Sequence, residues 1–137
     1  MKEELELKLR LKYPEIFKNY RGDIRKTCMG WGFSHGDGWY DLVNKMCEDV
    51  TKLTEGTGIQ VIADQVKEKF GGLRFYYSIL YETEKTDEMG KITQQVSDRI
   101  HQAEEESYKT CELCGKPGEP TKGGWITTLC EQCKKKD

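Results

Sequence analysis

Apolar positions along the chain fall into periodic stretches separated by polar or glycine-rich breaks. Residues 2–13 alternate leucine with charged side chains: Leu5, Leu9 and Lys12 share one side of a helix, and Leu7 and Leu11 widen the stripe. The glutamate and lysine content favours helix over strand, and Pro14 ends it. Ile16, Phe17 and Tyr20 then return the chain to the core. In residues 39–54, Trp39, Leu42, Val43, Met46, Val50 and Leu53 recur every three to four positions, which predicts a second helix. Asp37 is placed to cap its start and Gly56 to stop it. Residues 59–69 and 73–81 read as two strands, joined through Gly71-Gly72, a pair that suits a two-residue hairpin turn. That turn sets a register. Phe70 faces Leu73, Glu68 faces Phe75, Val66 faces Tyr77 and Asp64 faces Ile79 on a mostly apolar face. Lys69 faces Arg74, Lys67 faces Tyr76 and Gln65 faces Ser78 on the other. After an acidic connection over residues 82–88, Ile92, Val96, Ile100 and Ala103 predict a third helix over residues 87–108. The order predicts an α+β fold of helices packed on an antiparallel hairpin or small sheet. It occupies residues 1–108 and is followed by a C-terminal module over residues 109–137.

That module is defined by its thiols. Cys111 and Cys114 form one C-x-x-C pair, Cys130 and Cys133 form another, and 15 residues separate them. This is the spacing of a four-thiolate zinc ribbon. Two residues between paired cysteines let a tight knuckle aim both sulfurs at one ion, and Gly115 supplies the backbone freedom the knuckle needs. Four thiolates complete a tetrahedron and leave no position for water or substrate, so the expected Zn2+ is structural. The alternative is two disulfides or a redox pair. The module carries few apolar side chains beyond Leu113, Trp125, Ile126 and Leu129, so metal binding would supply what burial does not. Of the remaining cysteines, Cys47 reads as a small buried residue in a helix; Cys28 precedes a glycine-rich loop and has no assigned role.

Thiols available for zinc suit a reducing interior, which predicts a cytoplasmic protein. The N-terminal residues do not resemble a signal peptide, and no apolar run approaches membrane-spanning length. The formal charge of −2 is unevenly spread. Residues 67–78 hold three basic groups and one acidic, whereas residues 79–108 hold three and eight. A chain with this balance is a poor general nucleic-acid binder, so an anion site must be a local patch.

Two stretches could form that patch. On the polar hairpin face Lys67, Lys69, Arg74 and Tyr76 gather, and opposed like charges call for an anion nearby. A phosphate or carboxylate would meet that need, and so would internal pairing with Asp41 or with Glu104, Glu105 and Glu106. Residues 30–38, GWGFSHGDG, place four glycines among Trp31, Phe33, Ser34, His35 and Asp37, ahead of Trp39. Their N–H groups could approach an anion while Trp31, Phe33 or Trp39 stacks on a base; otherwise the aromatics fill the core. The loop matches no phosphate-binding fingerprint. Histidine occurs only at His35 and His101, and no nucleophile or deaminase pattern is present, so the expectation is a binding protein and not an enzyme.

Three strings, GWGFSHGDGWYDLVNKMC, QVKEKFGGLRFYY and SYKTCELCGKPGEPTKGGWITTLCEQC, together resemble a family of small uncharacterised zinc-ribbon-containing proteins of phages, prophages and bacteria. The resemblance spans residues 28–133 and implies no activity or site residue of its own. By weaker analogy with phage counter-defence sponges, it implies a protein of the host cytoplasm that sequesters a small phosphorylated, nucleotide-like immune signal. Lys67, Lys69 and Arg74 would then take the phosphate, Tyr76, Trp31 or Trp39 would stack on the base, and His35 would be a further ligand-binding residue. The competing expectation is a module that inhibits or adapts a host protein complex, docking through the ribbon, Trp125 and the basic residues 134–136, alone or as a homo-oligomer. Nucleic-acid binding through the ribbon is the least favoured.

Overall fold

Helix α1 (Glu3–Lys12) forms over the leucine-rich start of the chain in the computed structural model, which describes residues 1–135. Acidic side chains occupy its first turn and basic ones its last, complementing the helix dipole. Its buried side is narrower than the leucine spacing suggests: Leu9 is buried, while Leu7 and Leu11 are exposed. The inward position belongs instead to Glu6. Its buried carboxylate accepts from the Tyr20 hydroxyl at 2.8 Å, from Arg21 Nη2 at 3.3 Å and from the Phe33 N–H at 3.3 Å. Three donors offset the cost of removing the charge from water.

The glycine-rich stretch becomes a 3-10 turn (Cys28–Trp31), a short strand β1 (Phe33–Ser34) and a second 3-10 turn (Asp37–Trp39) that runs into α2 (Tyr40–Thr54). Asp37 makes no side-chain cap there; its Oδ1 accepts from the Lys2 N–H at 2.7 Å. Helix α2 ends just ahead of Gly56, as the spacing predicts.

Strands β2 (Ile59–Lys69) and β3 (Gly72–Tyr81) form an antiparallel hairpin, and β1 adds to β2 in parallel. The predicted register is corrected. The turn is Phe70-Gly71, both left-handed at φ 55° and 85°, so Lys69 pairs with Gly72, Lys67 with Arg74 and Gln65 with Tyr76. Gly72 is held in the strand by close approach: a Cβ there would lie 2.2 Å from the Tyr108 ring. A bulge between Ala63 and Gln65 sets Asp64 aside, so that Ala63, not Asp64, continues the buried face. Asp64 accepts from the Ser78 hydroxyl at 2.5 Å.

One face of this sheet is covered by α2 and by α3 (Asp87–Ser107), which starts at a Thr86 cap. Leu9, Phe17, Trp39, Val43, Val66, Leu73, Val96 and Ile100 fill the core between them. Arg99 Nε meets Asp49 Oδ2 at 2.7 Å and ties the two helices together. The free edge of β3 is closed by α3 side chains: the Leu73 N–H bonds Ser107 Oγ at 2.8 Å and the Phe75 N–H bonds Glu104 Oε2 at 2.9 Å. The C-terminal segment adds a two-stranded ladder, β4 (Glu119–Pro120) with β5 (Thr128–Leu129), and a single turn of helix, α4 (Glu131–Lys134). The result is a mixed helix-and-sheet protein. Among the described residues no helix is long and apolar enough to cross a membrane. Lys136, part of the predicted basic tail, lies outside the described residues.

Candidate metal centre and adjoining basic face

The two C-x-x-C pairs come together at one point. The Cys111–Cys114 knuckle is closed by the Gly115 N–H on the Cys111 carbonyl at 2.9 Å and by the Cys111 N–H on the Lys116 carbonyl at 2.7 Å. Gly115 takes the left-handed φ of 83° that this turn requires. Cys130 precedes α4, and its sulfur accepts from the Cys133 N–H at 3.4 Å. The four sulfurs lie within 4.8 Å of one another. A tetrahedral ion with metal–sulfur bonds of about 2.3 Å sets sulfurs roughly 3.8 Å apart, so the donor set fits such an ion. A disulfide would draw one pair to about 2.05 Å, whereas Cys114 and Cys130 are 3.5 Å apart and all the cysteines are free. Burial pushes the Cys111 thiol up, but the N–H groups of Cys130, Cys114 and Leu113 outweigh it and pull the pKa down to about 6. Cys133 is pushed the other way, to about 12, by its hydrogen bond with Cys130. Cys111, Cys114, Cys130 and Cys133 can therefore hold a metal ion, with backbone donors supporting the thiolates.

The glycine loop is the seat on which this centre rests. The Gly38 N–H donates to the Glu112 carbonyl at 2.7 Å, and the Gly36 N–H to Glu112 Oε2 at 2.9 Å. A Cβ on Gly38 would lie 2.1 Å from the Cys111 carbonyl oxygen, so only glycine lets the knuckle approach. Trp39, an expected stacking group, is instead fully buried and donates its Nε1–H to the Thr110 carbonyl at 2.9 Å. His35 is also buried, against Phe33 and Trp39, with Nδ1 donating to the Gly36 carbonyl at 2.8 Å. Neither ring is open to a ligand at the surface. Trp31 is exposed, but the parallel register of β1 places it toward the bulged end of β2, away from the hairpin turn.

The basic residues do converge. Lys67 lies directly opposite Arg74, and Lys69 is one step along the same face of β2. Tyr76 follows Arg74 on that face and is exposed, and Ser34 of β1 pairs with Lys67 from the other side. The carboxylates that could have covered this face are engaged elsewhere or solvated. Glu104 accepts from the Phe75 N–H, Asp41 is exposed, and among the described residues no ion pair involves Lys67, Lys69 or Arg74.

Beside Lys69, at the hairpin end of the sheet, a cavity of about 320 Å³ opens between the hairpin turn and the loop before β5. Glu68, Lys69 and Phe70 line one side, Gly124, Trp125 and Ile126 the other. Phe70 is 67% and Trp125 80% exposed. The Gly71-Gly72 turn expected from the sequence puts Phe70 on the apolar face of a strand; the turn starts one residue earlier, at Phe70, and the sequence pattern gives Ile126 only a packing role. The readable signal was an aromatic beside glycines in each segment, FGG and GGW. No protein-family model, curated protein or solved structure matches the chain.

Proposed function

We propose that this chain is a zinc-stabilised protein that binds a small phosphorylated, nucleotide-like ligand without transforming it. The observation that carries the reading is the direct opposition of Lys67 and Arg74, with Lys69 beside them, on a sheet face where none of the three has an acidic partner among the described residues. Like charges facing each other across a ladder cost up to about 1 kcal/mol, and a bound phosphate turns that cost into attraction. Zinc is the metal that four convergent thiolates favour, and a closed tetrahedron makes it structural. Thiols kept reduced for a metal support a cytoplasmic location in this reading. In the phage setting that the sequence resemblance implies, the use of such a site is sequestration of a nucleotide signal.

Native mass spectrometry against the denatured mass tests both parts. One zinc per chain and an intact nucleotide released on denaturation are the expected result. Calorimetric titration with nucleotides follows, and Lys67→Ala with Arg74→Ala should weaken binding at least tenfold while leaving the melting temperature unchanged or higher. Unchanged affinity in that double variant removes the phosphate assignment. Absence of zinc from reduced protein removes the metal assignment. The exposure of Trp125 favours a second reading, docking of a protein partner on the cysteine module. A stable partner lost on Trp125→Ala, in protein that binds no nucleotide, would establish it.

A further inference from the structure

We infer that the cavity between Phe70 and Trp125 is the base-binding half of this site, and that the ligand is a free nucleotide whose base enters there while its phosphates lie on Lys69, Lys67 and Arg74. The inference rests on the phosphate reading above and assigns a recognition site to residues that reading does not use.

The first support is exposure. Apolar side chains are normally withdrawn from water, yet Phe70, Trp125 and Ile126 surround one cavity, and both aromatics are mostly solvent-exposed. The second is backbone. Phe70 holds a left-handed φ of 55°, a conformation that glycine or asparagine adopts more readily than an aromatic residue. The turn itself therefore gives no reason for phenylalanine at this position; a contact made by its ring does. The third is charge placement. Lys69 lines the cavity, with its Nζ 5.6 Å from the Phe70 ring centre. Lys67 lies two residues further along the same strand face, a rise of about 7 Å. Aromatic walls beside a row of cations with no acidic partner among the described residues complement a flat base carrying phosphate.

Glu68 adds a polar edge to the apolar walls. Its Oε2 accepts the Gly71 N–H at 3.1 Å, which leaves Oε1 to accept from the amino group of a base. Its negative charge also sets a preference, for bases that donate at that edge over uracil. Size and net charge select a free nucleotide over a strand. A cavity of about 320 Å³ accommodates one base, and a chain of formal charge −2 with an acidic third helix repels a long polyanion.

The test is a titration matrix. Adenosine, guanosine, cytidine and uridine diphosphates, pyrophosphate and a ten-nucleotide thymidine strand are titrated into zinc-loaded full-length protein. The proteins are wild type, Phe70→Gly, Trp125→Ala and the Lys67→Ala, Arg74→Ala double variant. We expect at least one nucleoside diphosphate to bind, with quenching of Trp125 emission, and to lose tenfold or more in affinity in Phe70→Gly and in Trp125→Ala. Pyrophosphate should bind those two variants as it binds wild type. Both substitutions are at exposed positions, and Phe70→Gly should raise the melting temperature, so lost binding cannot be ascribed to lost fold. Nucleotide affinity that survives both cavity variants but falls in the double variant overturns the base site and leaves the phosphate face standing. Absence of both nucleotide and pyrophosphate binding to wild type overturns both. Tighter binding of the strand than of any nucleoside diphosphate overturns the free-nucleotide assignment.

Discussion

At the scale of single residues, His35 shows what burial does to a titratable ring. Its Nδ1 has the Gly36 carbonyl, its Nε2 has no partner among the described residues, and burial lowers its pKa from 6.5 to about 4. Nearby charges oppose each other weakly: the N-terminal amine lowers the value and Asp37 raises it. The unfolded chain therefore takes up a proton near pH 6.5 that the folded ring refuses until about pH 4. The contribution of His35 to stability is complete above the upper value. It is lost as pH falls through that window, at roughly 1.4 kcal/mol per unit, and levels off below it. His35→Phe should flatten the dependence, measured as denaturant unfolding at several values across the window. An unchanged slope would place the acid sensitivity on other groups. Phe70 makes the opposite point, since its strain is local and exposed. Phe70→Gly should stabilise the protein by about 1 kcal/mol, because the left-handed turn position suits glycine. A loss of stability there would mean that the ring packs in the free protein and is not held ready for a ligand.

Among elements, the contact between the glycine loop and the first cysteine knuckle organises the centre. The Gly38 N–H bonds the Glu112 carbonyl, and its missing Cβ admits the Cys111 carbonyl. Gly38→Ala should cost about 3 kcal/mol and loosen the knuckle, since the obstruction is backbone against backbone and neither side can rotate away. Equilibrium unfolding of reduced, zinc-loaded protein measures it; a cost below about 0.5 kcal/mol would mean that the knuckle does not need this seat. The same contact explains what could be read from sequence. The cysteine pairs were legible because a knuckle needs only two intervening residues, and α2 and α3 were legible because Val43, Met46, Val96 and Ile100 carry the helical period. The role of the glycine loop was not, because its partner is a knuckle distant in the chain. Nor was the hairpin register: a Gly-Gly pair fits a two-residue turn, but Gly72 is there to clear the Tyr108 ring, and no local pattern places Tyr108 beside it. Of the candidate ligand residues, Lys67, Lys69, Arg74 and Tyr76 emerged from strand alternation and do share one face. Trp39 and His35 stand out by residue type alone, and both belong to the core.

For the whole molecule, the cysteine module acts as a clamp between two distant parts of the body. The Thr110 carbonyl holds Trp39 Nε1, the Glu112 carbonyl holds the Gly38 N–H, and Thr128 Oγ1 donates to the Gly71 carbonyl at 2.6 Å. One module thus touches the entrance to α2 and the turn of the β2–β3 hairpin. Its own buried cluster is Cys111, Leu129, Cys130 and Cys133, too few apolar groups to hold it closed without an ion on the sulfurs. Chelation of the metal under reducing conditions should therefore open the module and remove the Trp125 and Ile126 wall from beside Phe70. The body should keep its helices, because the α2, α3 and sheet core is separately packed and large. Three readouts follow. Far-ultraviolet circular dichroism should change little. The emission of Trp39 should shift to longer wavelength as its ring loses the Thr110 carbonyl, against a constant signal from the already exposed Trp31 and Trp125. Nucleotide binding should fall with loss of the cavity wall, while weaker pyrophosphate binding to Lys67 and Arg74 persists. One equivalent of zinc should restore all of them. Loss of helicity together with the other signals would mean that the body folds only with its metal. Retention of nucleotide binding after complete chelation would mean that the cavity wall stands without the metal and that the four thiolates serve another purpose.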